Sequence, residues 1–276
     1  MVTLTYQNRP REKSVFEAPE RQMVLEVCGS TLTIMLWNKI EQRPESLEVF
    51  SGLENWEDQW DNMVLQSEIL NFRNLETYVF FNTRRCLPIP SLFFDEAAAR
   101  QQLDIVYGEA AGLHFGGDVL AQKHIVVAWE VPLSIYHCVT GHFSLLHVRS
   151  LAAAIVELGA AQPSQDAHGR LVVNGTCACM AMWRGEQLLL LKTLAVGEPD
   201  DLAYQLLLAC KQWGIGQDEI QWKVSGMVHA EAPLWRSPDR FFSHFEPASV
   251  SAEMGEEIPG HYFAHLVQYM RQVVHA

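Results

Sequence analysis

From Met23 to Asn38, apolar residues alternate with polar or smaller ones. Met23, Leu25 and Val27 form one arm, Leu32, Ile34 and Leu36 the other, and Gly29-Ser30 lies between them. Period two on both sides of a glycine turn predicts a β-hairpin. Residues 1–20 before it are polar and are predicted to be a tail. After it the pattern changes: Trp56 and Trp60 lie four apart ahead of Val64, which predicts an amphipathic helix. Thr77 to Asn82 is a predicted strand, followed by a turn region around Pro88 and Pro90. Asp95 is placed to cap a helix carrying Ala99, Leu103 and Val106 on one stripe. Gly116-Gly117-Asp118 reads as a turn before the continuous apolar strand Ile125 to Val131, a run suited to burial on both faces.

The pattern then repeats in outline. Leu133 to Phe143 is a predicted helix, Leu145 to Val148 a short strand, and Leu151 to Leu158 an Ala-rich helix. Gly159 to Gly169, with Pro163, is the best internal boundary. A second hairpin runs from Leu171 to Val196 and turns at Arg184-Gly185. Pro199 with Asp200-Asp201 opens a helix bearing Leu202, Leu206, Cys210 and Trp213, and Gly214 stops it. Ile220 to Ser225 is a strand, and residues 262–274 form a final helix. Hairpin, strand, helix, strand, helix occurs twice, which predicts two α/β halves, residues 21–160 and 170–276.

The length of 276 residues agrees with two domains at about 150 residues each. Hydrophobic residues at 49% and charged ones at 19% mark a globular chain. Asp and Glu total 33 against 20 Lys and Arg, a net charge of −13, which disfavours nucleic-acid and anionic-membrane partners. The stretch Glu41 to Glu76 holds nine of the carboxylates against Arg43 and Arg73. Met1 to Gln22 carries no apolar signal-peptide core and no run approaches membrane-spanning length, so a cytoplasmic protein without membrane insertion is expected. Six scattered cysteines without a CxxC pair are read as reduced thiols.

Several segments, in order, resemble an uncharacterised bacterial family with an actin-like fold, that of sugar kinases, heat-shock chaperones and actin. They are Pro88-Ile89-Pro90-Ser91-Leu92-Phe93 ahead of Asp95, Gly185-Glu186-Gln187-Leu188 running on to Asp200-Asp201-Leu202-Ala203-Tyr204, Val224-Ser225-Gly226, and Ile258-Pro259-Gly260-His261-Tyr262-Phe263. The resemblance implies two RNase H-like subdomains with mixed sheets that begin in β-hairpins, with a cleft between them. It also implies that the final helix can pack back on the first subdomain. ATPases of that superfamily place Asp-x-Gly in the first hairpin of each half, where the carboxylate handles Mg²⁺ or water and backbone amides cradle phosphate.

By that resemblance the nucleotide-binding candidates are Gly29, Ser30, Asn174, Gly175, Thr176 and Gly226. The carboxylates are missing, however. Val27 stands two residues before Gly29; Glu26 is one residue off and faces the opposite side of a strand. Asn174-Gly175-Thr176 offers an amide, and Gly226 is followed by Met227 where two glycines are usual. The reading is a non-catalytic actin-like protein with a degenerate nucleotide cleft, no catalytic residue and no metal, acting through a protein partner. Trp56 and Trp60, aromatic amid charge, are the partner-binding candidates, although a core role explains them too. The alternative is an ATP- and Mg-dependent ATPase or phosphotransferase using Glu26 and Asp118. A third possibility pairs Cys177 with Cys179 on one strand face, with His137, Cys138, His142 and His147 as further soft-metal ligands; buried structural thiols are the simpler reading. His114, His124, His229 and His244 form no recognised motif.

Overall fold

In the computed structural model of the chain, residues 3–8, 20–161, 166–175, 177–250 and 259–273 are described. The chain divides into two compact units, Met1–Leu151 with Met270–Ala276, and Ala152–Tyr269.

In the first unit, β2 (Arg21–Cys28), β3 (Thr31–Asn38) and β4 (Arg43–Ser51) form an antiparallel meander. β5 (Glu76–Asn82) lies parallel to β2, and β9 (Leu145–Ser150) parallel to β5. β1 (Thr3–Asn8) closes the other side against β4, giving the order β1-β4-β3-β2-β5-β9. Every residue of β2 is buried, so the alternation in its sequence distinguishes two covered faces rather than a wet and a dry one. The helices are α1 (Trp56–Gln66), α2 (Glu96–Tyr107) and α3 (Leu133–Thr140). Asn55 and Asp95 cap the first two, each accepting a hydrogen bond from the third backbone N–H beyond it. A small antiparallel sheet, β6 (Cys86–Pro90), β8 (Ile125–Pro132) and β7 (Leu113–Leu120), packs Ile89 and Ala128 on Ala99 and Leu103 of α2.

The second unit repeats the plan. After α4 (Leu151–Ala160), the strands β10 (Ala167–Asn174), β11 (Cys177–Arg184) and β12 (Gln187–Ala195) form an antiparallel meander. β13 (Gln221–Ser225) runs parallel to β10, and β14 (Phe245–Pro247) parallel to β13. The order β12-β11-β10-β13-β14 reproduces β4-β3-β2-β5-β9 strand for strand. One face of this sheet buries Leu171, Met180, Met182 and Trp222 with Leu202 and Leu206 of α5 (Pro199–Gln212) and Trp235 of α6 (Pro233–Asp239). The final helix, α7 (Ala264–Val273), begins in this unit, and its Arg271 donates to the carbonyl of Gln42 within the first.

Several expectations need correction. The polar N-terminal segment contains β1: its Thr and Tyr residues suit an edge strand, and Thr5 and Gln7 bond to Val49 and Glu48. The acidic stretch hides β4, because Glu48 points inward at 1% exposure, where Ser67, Gln7 and the Glu68 N–H satisfy it. Pro88 and Pro90 belong to a strand. Among the described residues β6 pairs only with β8, and Arg85 and Ser91 bond toward that partner, so the prolines occupy the alternate positions, where a donor would point away from it. Gly116-Gly117-Asp118 is likewise strand. Gly116 faces Trp129 across the pair, and a Cβ there would fall inside the indole. The second hairpin is a three-stranded meander with an additional turn after Asn174, which still pairs with Cys177, and Gly175 opens that turn at positive φ. Val106 is 57% exposed, and the α2 stripe consists of buried Ala99 and Leu103 with half-buried Tyr107. Thr176, Ile258 and Val274 lie outside the described residues.

Candidate functional site

The first hairpin turn of each unit is where the nucleotide candidates fall, and each is best taken separately. In the first unit Gly29 adopts φ +53°, the left-handed conformation that favours glycine, and joins β2 to β3. Its carbonyl accepts from the Trp56 indole N–H at 3.2 Å, and the Ser30 carbonyl accepts from the Leu53 N–H at 3.0 Å. The turn is therefore tied from behind by the segment entering α1. Val27, at the position the superfamily motif reserves for Asp, is buried at 4% exposure. Glu26 is at 1% and accepts a hydrogen bond from Asn82 Nδ2 at 3.0 Å on the neighbouring β5. Its carboxylate thus cross-links two central strands.

In the second unit Asn174, Gly175 and Gly226 come together. Gly175 turns β10 into β11 at φ +57°. Asn174, 3% exposed, accepts through Oδ1 from the backbone N–H of Met227 at 2.8 Å. Gly226, at φ +106°, packs so closely on β10 that a Cβ would run into the Val173 carbonyl oxygen. Close backbone packing alone requires this glycine. The amide that replaces the motif carboxylate is spent on holding two loops together.

The other candidates disperse. Asp118 is 9% exposed, and its Oδ2 accepts from the N–H and the hydroxyl of Ser150 at 2.7 and 2.6 Å, tying β7 to the end of β9. Trp56 and Trp60 are 5% and 7% exposed and stacked on each other, with Trp60 edge-on to His142. Neither indole presents a free aromatic face; burial, not display, is their geometry. Cys177 and Cys179 share one face of β11, the first half-buried and the second buried. His142 pairs with the Leu70 carbonyl and His147 with Glu76, far from a common ligand set. Among the described residues no group of three His, Cys, Asp or Glu side chains is placed to hold a metal ion. His114 stacks on Tyr136, and burial, reinforced by Arg100 and His137, lowers its pKa. His124 adopts a left-handed conformation at a turn, and the Glu231 N–H bonds to His229 Nδ1. The His244 carbonyl accepts from the Trp222 N–H.

One polar site has no sequence motif to announce it. At the amino ends of β2, β5 and β9, a basin of about 580 Å³ is lined by Arg21, Lys39, Asn74, Glu76, Ser144 and His147. Glu76 is its hub, accepting from Gln22, Lys39 and Tyr78 and pairing with His147. Burial pushes the Glu76 carboxyl up, but these bonds and the Lys39 charge overcome it and hold it at about 2. Arg21 forks onto Glu45 at 2.6 and 3.2 Å. The sequence singles out two of its residues, Glu76 at the end of the acidic stretch and His147 as a soft-metal ligand candidate, without bringing them together.

The model of a family described as protein of unknown function, DUF3822, matches residues 11–245. No curated protein matches the chain. A Bacteroides thetaiotaomicron protein of actin-like ATPase fold and unknown function aligns at TM-score 0.73 and 14% identity, over 84% of this chain and 92% of its own. A chain of the PilM-PilN type IV pilus biogenesis complex aligns at 0.59 and 13%, over 91% and 98%. The ethanolamine utilization protein EutJ from Carboxydothermus hydrogenoformans aligns at 0.52 and 7%, over 92% and 90%. The fold is the actin-like ATPase fold. Among the described residues, no helix is long and apolar enough to cross a membrane.

Proposed function

The chain belongs to the DUF3822 family of proteins of unknown function, and on that premise we propose a non-catalytic actin-like protein that works through contacts with another protein. Its nucleotide site is degenerate, and it acts in the cytoplasm without a nucleic-acid partner. The observation that carries this reading is the state of the two positions that need a carboxylate. One is the buried Val27, and the other is Asn174, whose amide oxygen is committed to the Met227 N–H. The nearest acidic substitutes are engaged as well, Glu26 with Asn82 and Asp118 with Ser150. Mg²⁺ and a developing phosphoryl charge both need a carboxylate or cation free to meet them.

The partner half of the reading is supported by the turn Ser91–Phe93, where Leu92 and Phe93 are 86% and 70% exposed. Two bulky apolar side chains at one loop tip suit a contact anchor better than a solvated loop. That a neighbour of the same fold occurs in a two-protein pilus complex makes such a role reasonable for the scaffold, although fold alone does not fix function.

The test has two arms. Titration of Mg-ATP and ADP by calorimetry and thermal shift is expected to give neither turnover nor stabilisation. A true ligand at about 100-fold its Kd adds about 2.7 kcal/mol. Turnover that disappears in Glu26→Gln would establish the ATP-dependent enzyme instead. In the second arm, cross-linking and capture with the wild type should recover a partner that Leu92→Ser/Phe93→Ser loses. Equal recovery by both proteins counts against Leu92 and Phe93 as the anchor.

A further inference from the structure

We propose that the basin beside Glu76 binds a small organic acid, whose carboxylate meets Lys39 and Arg21 and whose carbon body lies on Leu75, Leu145 and Leu146. The basin belongs to the first unit and sits at the amino ends of β2, β5 and β9. Gly29, where the nucleotide candidates of that unit fall, follows the other end of β2. The two places are therefore distinct.

The head group follows from how the polar side chains are spent. Among the described residues Glu76 is the one carboxylate lining the basin, and it already accepts from Gln22, Lys39 and Tyr78 and pairs with His147. Four partners fill its two oxygens, so it has little left to offer a cation. The donors are not exhausted in return. An ammonium has three N–H groups, and Lys39 places one of them on Glu76. A guanidinium has five, and Arg21 places three of them on Glu45 and Glu20. The surplus is of cationic donors, which a carboxylate answers.

The body follows from the rest of the lining. Leu75, Leu145 and Leu146 share the basin with those charges, and Leu145 is 55% exposed although it lies beside Glu76 in the β5–β9 register. Apolar walls with a few fixed polar groups are what small-ligand sites present, and about 580 Å³ is within their usual size. An inorganic oxyanion would satisfy the donors and leave the leucines bare; an organic acid covers both. The site is also held firmly. Gln22 of β2 and His147 of β9 grip Glu76 of β5 from either side, and His147 stacks on Tyr78, so the charged wall stands on paired strands rather than on a loop.

The experiment is calorimetry of the full chain with hexanoate and benzoate, run beside hexanol and inorganic phosphate at constant ionic strength. We expect saturable binding of at least one of the two acids, and of neither control. Lys39→Gln should weaken that binding about tenfold. Leu145→Ser, at an exposed position, should weaken it about threefold. Circular dichroism checks the fold of both variants, and if Lys39→Gln does not fold, Leu145→Ser decides. Failure of both acids to bind overturns the proposal. So does equal binding of hexanol or of phosphate, or acid binding that the folded variants leave unchanged. None of these outcomes depends on whether nucleotide or another protein binds elsewhere.

Discussion

Asn174 Oδ1 accepts the backbone N–H of Met227 at 2.8 Å, across 53 residues of sequence, and this bond joins the hairpin turn of the second unit to the loop after β13. Asn174→Leu should cost about 1–3 kcal/mol, because the Met227 N–H loses its acceptor. Asn174→Asp keeps the acceptor but buries a charge, so it should also destabilise at neutral pH, and less so where the carboxyl is protonated. Denaturant unfolding of the three proteins measures the difference. If Asn174→Asp also bound Mg-ATP, the missing carboxylate would be shown to be what closed the nucleotide site.

Gly116, Gly159 and Gly169 each lie under a tryptophan ring, those of Trp129, Trp183 and Trp222, and a Cβ on any of them would enter the indole. Gly169→Ala is expected to destabilise by about 1–3 kcal/mol through overpacking. Combining it with Trp222→Leu should cost less than the sum of the single changes, a coupling that a double-mutant cycle detects. Full additivity would argue that the ring and the glycine are not in conflict.

Arg85 satisfies a whole corner of the small sheet. It bonds Glu130 at 2.8 Å, Asp104 at 2.8 Å and the Gly108 carbonyl at 2.6 Å. The Glu130 side chain is only 5% exposed, so Arg85→Ala strands a buried carboxylate and should cost about 3–5 kcal/mol. Hydrogen exchange should then speed up in β6 and β8 before it does in β2 and β5. The double change Arg85→Met/Glu130→Leu should recover much of the loss.

Glu76 predicts an acid limb. Its folded pKa of about 2 lies below its ordinary value of 4.5, so the folded state holds the proton less tightly than the unfolded one. The stabilisation is therefore complete above about 4.5 and is lost as the pH falls toward 2. Glu76→Gln should flatten the stability profile across that window while changing little of its shape near neutrality. Thermal unfolding followed from pH 7 downward tests it, and an unchanged acid slope would remove Glu76 as its source.

Much of this architecture was legible because local chemistry and global position agreed. Asp95 ahead of Ala99 and Leu103 marks a helix start whatever surrounds it, and Gly29 and Gly175 mark turns because their backbone needs positive φ. What escaped was decided by neighbours distant in sequence. Glu48 is inward only because Ser67 and Gln7 reach it, and Gly116 is strand only because Trp129 lies across from it. The candidate site divided in the same way. The missing carboxylates at Val27 and Asn174 could be read directly. The employment of Glu26 by Asn82, and the burial of Trp56 and Trp60 amid acidic residues, required the fold.

The two meanders, β2-β3-β4 and β10-β11-β12, join strands that are neighbours in sequence, whereas β5, β9, β13 and β14 reach their places only after intervening helices. Contacts that close short loops form early, and parallel pairings wait for long ones. The polypeptide is therefore expected to fold from two separate nuclei, one in each meander. A lesion in one meander should slow the acquisition of its own half while the other proceeds at its own pace.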